Sequence, residues 1–134
     1  MLNLEIITPE QTVVKEEVDM VEAKGVDGEF GILPGHTQFL TTLDIGEIRY
    51  MKDGVTTYLS SSKGFSEVVE DKVVMLLDTA EPAEEIDIER AKRALERAET
   101  ALKTVSFDHS EYLINEMALY RAIARISVAS KKIG

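Results

Sequence analysis

The chain has 134 residues, with 25 Asp and Glu against 15 Lys and Arg, a net charge of −10, and 44% hydrophobic residues; that suffices for one core of ordinary size, or a small core with an appendage. It contains no Cys, which excludes a disulfide framework, a thiolate nucleophile and Cys-ligated zinc or iron–sulfur sites, and fits a reducing compartment. The acidic balance opposes general binding to nucleic acid or to anionic lipid surfaces.

No stretch reaches the roughly 20 apolar residues of a membrane-spanning helix, and Met1–Ile7 lacks the basic start of an export signal, so a soluble, unexported protein is expected. With only His36 and His109, no metal site is expected.

The charge is unevenly spread. Residues 1–84 hold 17 acids and 6 bases, whereas residues 85–134 hold 8 acids and 9 bases, and all three prolines and seven of the eight glycines lie in the first part. Two units are expected: a β domain over 1–84 and a helical hairpin over 85–134.

In chain order, Leu2–Ile7 alternates and stops at Thr8-Pro9, and Val18–Ala23 alternates before Lys24-Gly25. The run Gly25-Val26-Asp27-Gly28-Glu29-Phe30-Gly31 has glycines every third residue and joins β segments, so it reads as a glycine-permitted turn and not as a phosphate loop. Ile48–Met51 and Val55–Leu59 flank Lys52-Asp53-Gly54, a strong hairpin signal. Phe65–Val69 and Val73–Leu77 flank Glu70-Asp71-Lys72, a second hairpin. Short strands with frequent turns imply an antiparallel β-sandwich with acidic residues on its solvated faces.

Beyond residue 85 the period changes. Asp87 is placed to cap a helix whose Ala91, Ala94, Ala98 and Ala101 recur at spacings of 3, 4 and 3, and Leu119, Ala122, Ile126 and Ala129 repeat that pattern in a second helix. The interruption at Ser106–Ser110 makes the pair an antiparallel hairpin. An alanine seam permits close approach but contributes only ~1 kcal/mol or less per Ala. The hairpin is either a bistable element able to open without unravelling or simply tight static packing.

Catalytic motifs are missing. Gly64-Phe65-Ser66-Glu67-Val68 lacks the last glycine of a nucleophile elbow, there is no Walker loop, and His36 in Leu33-Pro34-Gly35-His36 reads as a loop histidine satisfying backbone groups. No catalytic residue is assigned. The arginines carry more information: if the hairpin folds about Phe107-Asp108, facing positions sum to about 216, and Arg90 with Arg125 sum to 215, Arg97 with Arg121 to 218. Four guanidinium groups would converge and oppose closure unless a polyphosphate bridged them through charge-assisted hydrogen bonds. The alternative is that they pair with Glu89, Glu96, Glu99 and Glu116 along solvated faces.

The segment Gly28-Glu29-Phe30-Gly31-Ile32-Leu33-Pro34-Gly35-His36, followed by Gly46-Glu47-Ile48-Arg49, resembles the epsilon subunits of bacterial F-type ATP synthases. The opening Leu4-Glu5-Ile6-Ile7-Thr8-Pro9 and the change from β structure to two helices match in the same order. The resemblance implies a ten-stranded sandwich and a helical hairpin on the central rotor, peripheral on the cytoplasmic face of the bacterial inner membrane. It implies contact with the gamma subunit and the c-ring, with Glu29 and Phe30 facing the ring, and inhibition of ATP hydrolysis by helices that extend along gamma toward an acidic loop of the beta subunit.

Some members of this family bind ATP in the folded hairpin through a pattern Ile/Leu-Asp-x-x-Arg-Ala, matched here by Ile86-Asp87-Ile88-Glu89-Arg90-Ala91. The family's further positions correspond by spacing to Glu81, Arg97, Arg121 and Arg125. The resemblance thus implies ATP as a regulatory ligand, sensed without hydrolysis, and no required cofactor. Two other readings compete: an acidic sandwich adaptor whose helices dimerise through the alanine seam, and a small hydrolase, for which the sequence offers no nucleophile and base.

Overall fold

The structure, a computed structural model, describes residues 1–106 and 110–131. Nine strands are followed by two helices: β1 (Leu2–Ile7), β2 (Thr12–Val18), β3 (Met20–Gly25), β4 (Gly28–Ile32), β5 (Phe39–Lys52), β6 (Val55–Ser61), β7 (Gly64–Val69), β8 (Lys72–Leu77) and β9 (Ala80–Pro82), then a 3-10 turn (Ala83–Glu85), α1 (Ile88–Thr104) and α2 (Ser110–Ala129). Alternation of apolar and polar residues drives the strands. In β1, for example, Leu2, Leu4 and Ile6 are buried, and they pack with Val21, Ile32, Ile48, Leu59, Val73 and Met75 in a single core.

Hydrogen bonding runs β2-β1-β8-β7-β5-β3-β4, with β6 between β5 and β9. The 14-residue β5 makes this a sandwich. Its first half, Phe39–Leu43, pairs with β7, while Gly46–Lys52 pairs with β6, so one strand serves both layers. The described residues thus form nine strands where the resemblance implies ten, because Phe39–Lys52 runs as one continuous strand through both layers.

Both expected hairpins form. Asp53 and Gly54 both have positive φ, 51° and 80°, as a two-residue type I′ turn requires. The second turn is tighter than expected, because Glu70 and Asp71 alone adopt φ of 48° and 63° and Lys72 already belongs to β8. Asp71 is anchored there: its Oδ1 accepts from the Gly35 backbone at 2.7 Å and its carbonyl from Asn3 at 2.8 Å.

Three expectations need correction. The sandwich is not wholly antiparallel, since β1 runs parallel to β8; the two are remote in sequence, so no hairpin constrains their direction. The strand expected over Val18–Ala23 breaks at Asp19, whose backbone donates to Met51 O and whose Oδ2 accepts from Asp53 N at 2.9 Å, clamping the β5–β6 turn. The glycine-rich run is mostly strand: Gly25 pairs with Gly28, which leaves Val26-Asp27 as the turn.

Each helix follows from local signals. Asp87 caps α1, its Oδ1 accepting from Arg90 N at 3.1 Å. Of the expected seam, Ala91, Ala98, Ala122 and Ala129 are each at most 5% exposed, whereas Ala94, Ala101, Leu119 and Ile126 are half-buried; the two helices pack on each other, and Ala129 joins the cluster against the sandwich. In this closed hairpin the four buried alanines are not available to pair a second copy. The proposed fold-back point, Phe107-Asp108, lies outside the described residues, as does His109. The end of α2 docks on the second layer, where Val128 and Ala129 pack with Ala83 and Ile86 against Tyr58 and Ile88.

Candidate functional site

After β9 the chain turns at Pro82, which holds φ −60° and ψ 145° before the 3-10 turn. Ile86 plugs the small apolar cluster, Asp87 starts α1, and Arg125 of α2 comes alongside. The result is a polar cleft of about 170 Å3 lined by Glu81, Glu85, Ile86, Asp87, Arg90, Ala91 and Arg125. Arg125 Nε meets Glu81 Oε1 at 3.2 Å, with both side chains over a third exposed, so the pair is weak and open to exchange with another anion. The cleft also faces the positive end of the α1 dipole.

Six of the eight residues that the resemblance assigns to ATP, namely Glu81, Ile86, Asp87, Arg90, Ala91 and Arg125, therefore border one cleft. The two others do not: Arg97 is exposed further along α1 and Arg121 is half-buried on α2, and neither lines it. The register estimate thus holds for Arg90 with Arg125, whereas four converging guanidinium groups are not present at this cleft. The alternative pairing is not seen for Arg125 either, since its partner is Glu81 on β9, and Glu89 instead pairs with Lys92 at 3.8 Å. Glu85 also lines the cleft, though no sequence pattern marks it. Nothing distinguishes it from Glu84 until the 3-10 turn orients it.

Glu29 and Phe30 sit on β4 with different surroundings. The Glu29 side chain is 62% exposed and its Oε1 lies 3.7 Å from Arg49 Nη1. Phe30 is half-buried, edge-to-face with Phe39 at 5.5 Å and packed on the core. His36 is a loop residue with its ring against Phe39 and its Nδ1 donating to Thr37 O at 2.7 Å. Its backbone N–H closes a turn onto Leu33 O, with Pro34 and Gly35 at the central positions and Gly35 at φ 83°.

A second surface is apolar and exposed. Ile7, Leu76 and Phe65 are neighbours across β1, β8 and β7. Leu40, on the same face of β5 as Thr42 opposite Phe65, continues the row. Leu40, Phe65 and Leu76 are each more than half exposed. This stripe lies on the layer away from α2, and such contiguous apolar exposure marks a partner surface. Its sequence signal was apolar residues at outward positions of strands, legible only once register is known.

Among the described residues, no group of three or more His, Asp or Glu could hold a metal ion, and no helix is long and apolar enough to cross a membrane.

Residues 1–83 match the family described as the ATP synthase delta/epsilon chain β-sandwich domain, and residues 84–130 match its long α-helix domain. The ATP synthase epsilon chain of Geotalea daltonii is 52% identical over 130 residues, covering 97% of this chain and 94% of that one. That of Geobacter sulfurreducens is 49% identical over the same coverage. Among solved structures, a chain of the Euglena gracilis mitochondrial ATP synthase, in the OSCP/F1/c-ring assembly, superposes with a TM-score of 0.82 at 26% identity, over 96% of this chain and 81% of that one. A chain from the Tetrahymena thermophila mitochondrial ATP synthase central stalk and c-ring gives 0.56 at 11% identity, covering 97% and 94%, a likeness of fold.

Proposed function

The chain belongs to the ATP synthase delta/epsilon family, as an epsilon subunit with no catalytic role of its own, and from that footing we propose that it is a central-stalk subunit whose hairpin restrains ATP hydrolysis and senses ATP. The sandwich attaches to the rotor: the exposed row of Leu40, Phe65 and Leu76 suits an apolar face of the gamma subunit, and exposed Glu29 suits polar loops of the c-ring. The complex would hold the chain at the cytoplasmic side of a bacterial membrane with no segment inserted.

The observation that carries the regulatory part is the cleft in the closed hairpin, which Arg90 and Arg125, from different helices, line together with Glu81 and Asp87. Opening the hairpin would separate the two arginines, so a polyphosphate that needs both binds only the closed form. At about 170 Å3 the cleft is smaller than the roughly 300–1,000 Å3 of sites that enclose a whole ligand. It would therefore seat the phosphates, with the nucleoside outside. Phosphate oxygens would take Arg125 from Glu81 and meet the Arg90 guanidinium. Population then shifts toward the closed hairpin by at most the difference in binding energy between the two states. High ATP favours the closed, uninhibiting form; low ATP releases helices to reach an acidic loop of the beta subunit.

Reconstitution tests this reading. Added to synthase particles stripped of this subunit, the full chain is expected to slow ATP hydrolysis, and a chain ending at Glu85 is expected to bind without slowing it. Equal hydrolysis rates with both chains would contradict an inhibitory hairpin.

A further inference from the structure

The Gly46-Glu47-Ile48-Arg49 stretch has a physical use that its resemblance to a family does not supply. Lys131, just past the end of α2, forms an ion pair with Glu47 Oε1 on β5, and its Nζ also lies over the Tyr58 ring of β6 at 5.2 Å from the centroid. The other oxygen of the same carboxylate, Oε2, accepts from Arg49 Nη1 at 2.8 Å. Arg49 in turn bonds Glu22 on β3 and sits near Glu29 on β4. Burial opposes the charged guanidinium, but its bonds to Glu22 and Glu47 and the charges of Glu22 and Glu29 outweigh that and raise its pKa above the ordinary value.

Three features make this more than a surface ion pair. The Glu47 side chain is only 16% exposed, so the acceptor is held within the sandwich surface, while the Lys131 side is 40% exposed and leaves the pair open to screening by salt. Arg49 already holds the carboxylate in place, so Lys131 meets a pre-oriented acceptor. The apolar contact that docks the same end of α2 is small, its buried members being Ala83, Ile86, Val128 and Ala129 with Tyr58 and Ile88 packed against them, and the charged contact lies beside it.

We infer that Lys131 and Glu47 form an electrostatic clasp that holds the far end of the hairpin on the sandwich, with Arg49 presenting Glu47 to Lys131. The clasp is separate from the arginine cleft and acts without nucleotide. It makes docking of α2 dependent on ionic strength.

Amide hydrogen exchange of the full chain, followed across Ala124–Ser130 at low and at raised salt, tests the clasp. In the unmodified protein, added salt is expected to accelerate exchange there while strands β1 and β8 stay protected. Lys131→Met keeps an unbranched stem over Tyr58 but removes the charge; it is expected to raise exchange at low salt at least threefold and to abolish the salt response. Glu47→Gln should do the same, and the double variant should exchange no faster than either single one. Should Glu47→Gln also loosen β5, Lys131→Met alone decides, since Lys131 lies outside the sheet. Exchange in Lys131→Met equal to that of the unmodified chain at both salt levels would overturn the inference.

Discussion

Replacing Gly64 by Ala is expected to cost about 3 kcal/mol of stability, at the upper end of what overpacking a core exacts, and to lower the melting temperature by about 10 °C. A Cβ at this position would stand 1.9 Å from Leu76 O and 2.9 Å from Leu76 C and Leu77 Cα, all of them backbone atoms. No side-chain rotamer can relieve that clash. Gly64 is paired on both sides, with Leu43 of β5 and Leu77 of β8, so the strand cannot move without breaking one ladder. Gly31→Ala is the matched control, because its nearest neighbour is the flexible Glu22 Cγ at 3.5 Å; it should melt within a few degrees of the parent. Thermal unfolding followed by circular dichroism separates the two, and equal melting temperatures would show that β7 and β8 approach less closely than described.

The second large effect concerns ligand. Replacing Arg90 and Arg125 together by Ala is expected to weaken ATP binding by roughly 2 kcal/mol or more, about 30-fold, since each would lose a charge-assisted bond to phosphate. Arg125→Ala also unpairs Glu81, but that ion pair is over a third exposed and its loss should barely change the fold's stability. Arg97→Ala discriminates between the cleft and a wider arginine cage. The side chain is exposed and does not line the cleft, so its removal should change affinity by no more than a few-fold. Isothermal calorimetry on the three proteins measures this, and retained affinity in the double variant would reject the assignment of Arg90 and Arg125.

The difference between Arg97 and Arg125 shows what the sequence could and could not convey. Helix periodicity and the cap at Asp87 were legible because they depend on neighbours three and four residues away. Facing positions across the hairpin followed from a single sum, and it placed Arg90 with Arg125 correctly. It did not reveal that the cleft closes around β9 and the 3-10 turn, which brings in Glu81 and Glu85 and leaves Arg97 and Arg121 outside. That boundary depends on how the hairpin docks on the sandwich, a tertiary relation set by Ile86, Val128 and Ala129.

The sandwich divides in the same way. Asp53-Gly54 announces its hairpin through the positive φ that both residues must adopt. The parallel pairing of β1 with β8 has no local signature, and neither does the double duty of β5. The need for glycine at 64 comes from a carbonyl twelve residues away on another strand. Likewise, the row of Leu40, Phe65 and Leu76 belongs to three strands and becomes a surface only in register.

A hairpin with two accessible states, one of them selected by ATP, underlies the functional account. Because the chain has no Cys, Lys92→Cys on α1 and Ser127→Cys on α2, both exposed positions, would give a single pair of spin labels for distance measurement. The expected result is a mixed distribution of short and long separations without nucleotide that collapses to the short one at saturating ATP. A distribution that is the same with and without ATP would contradict the account.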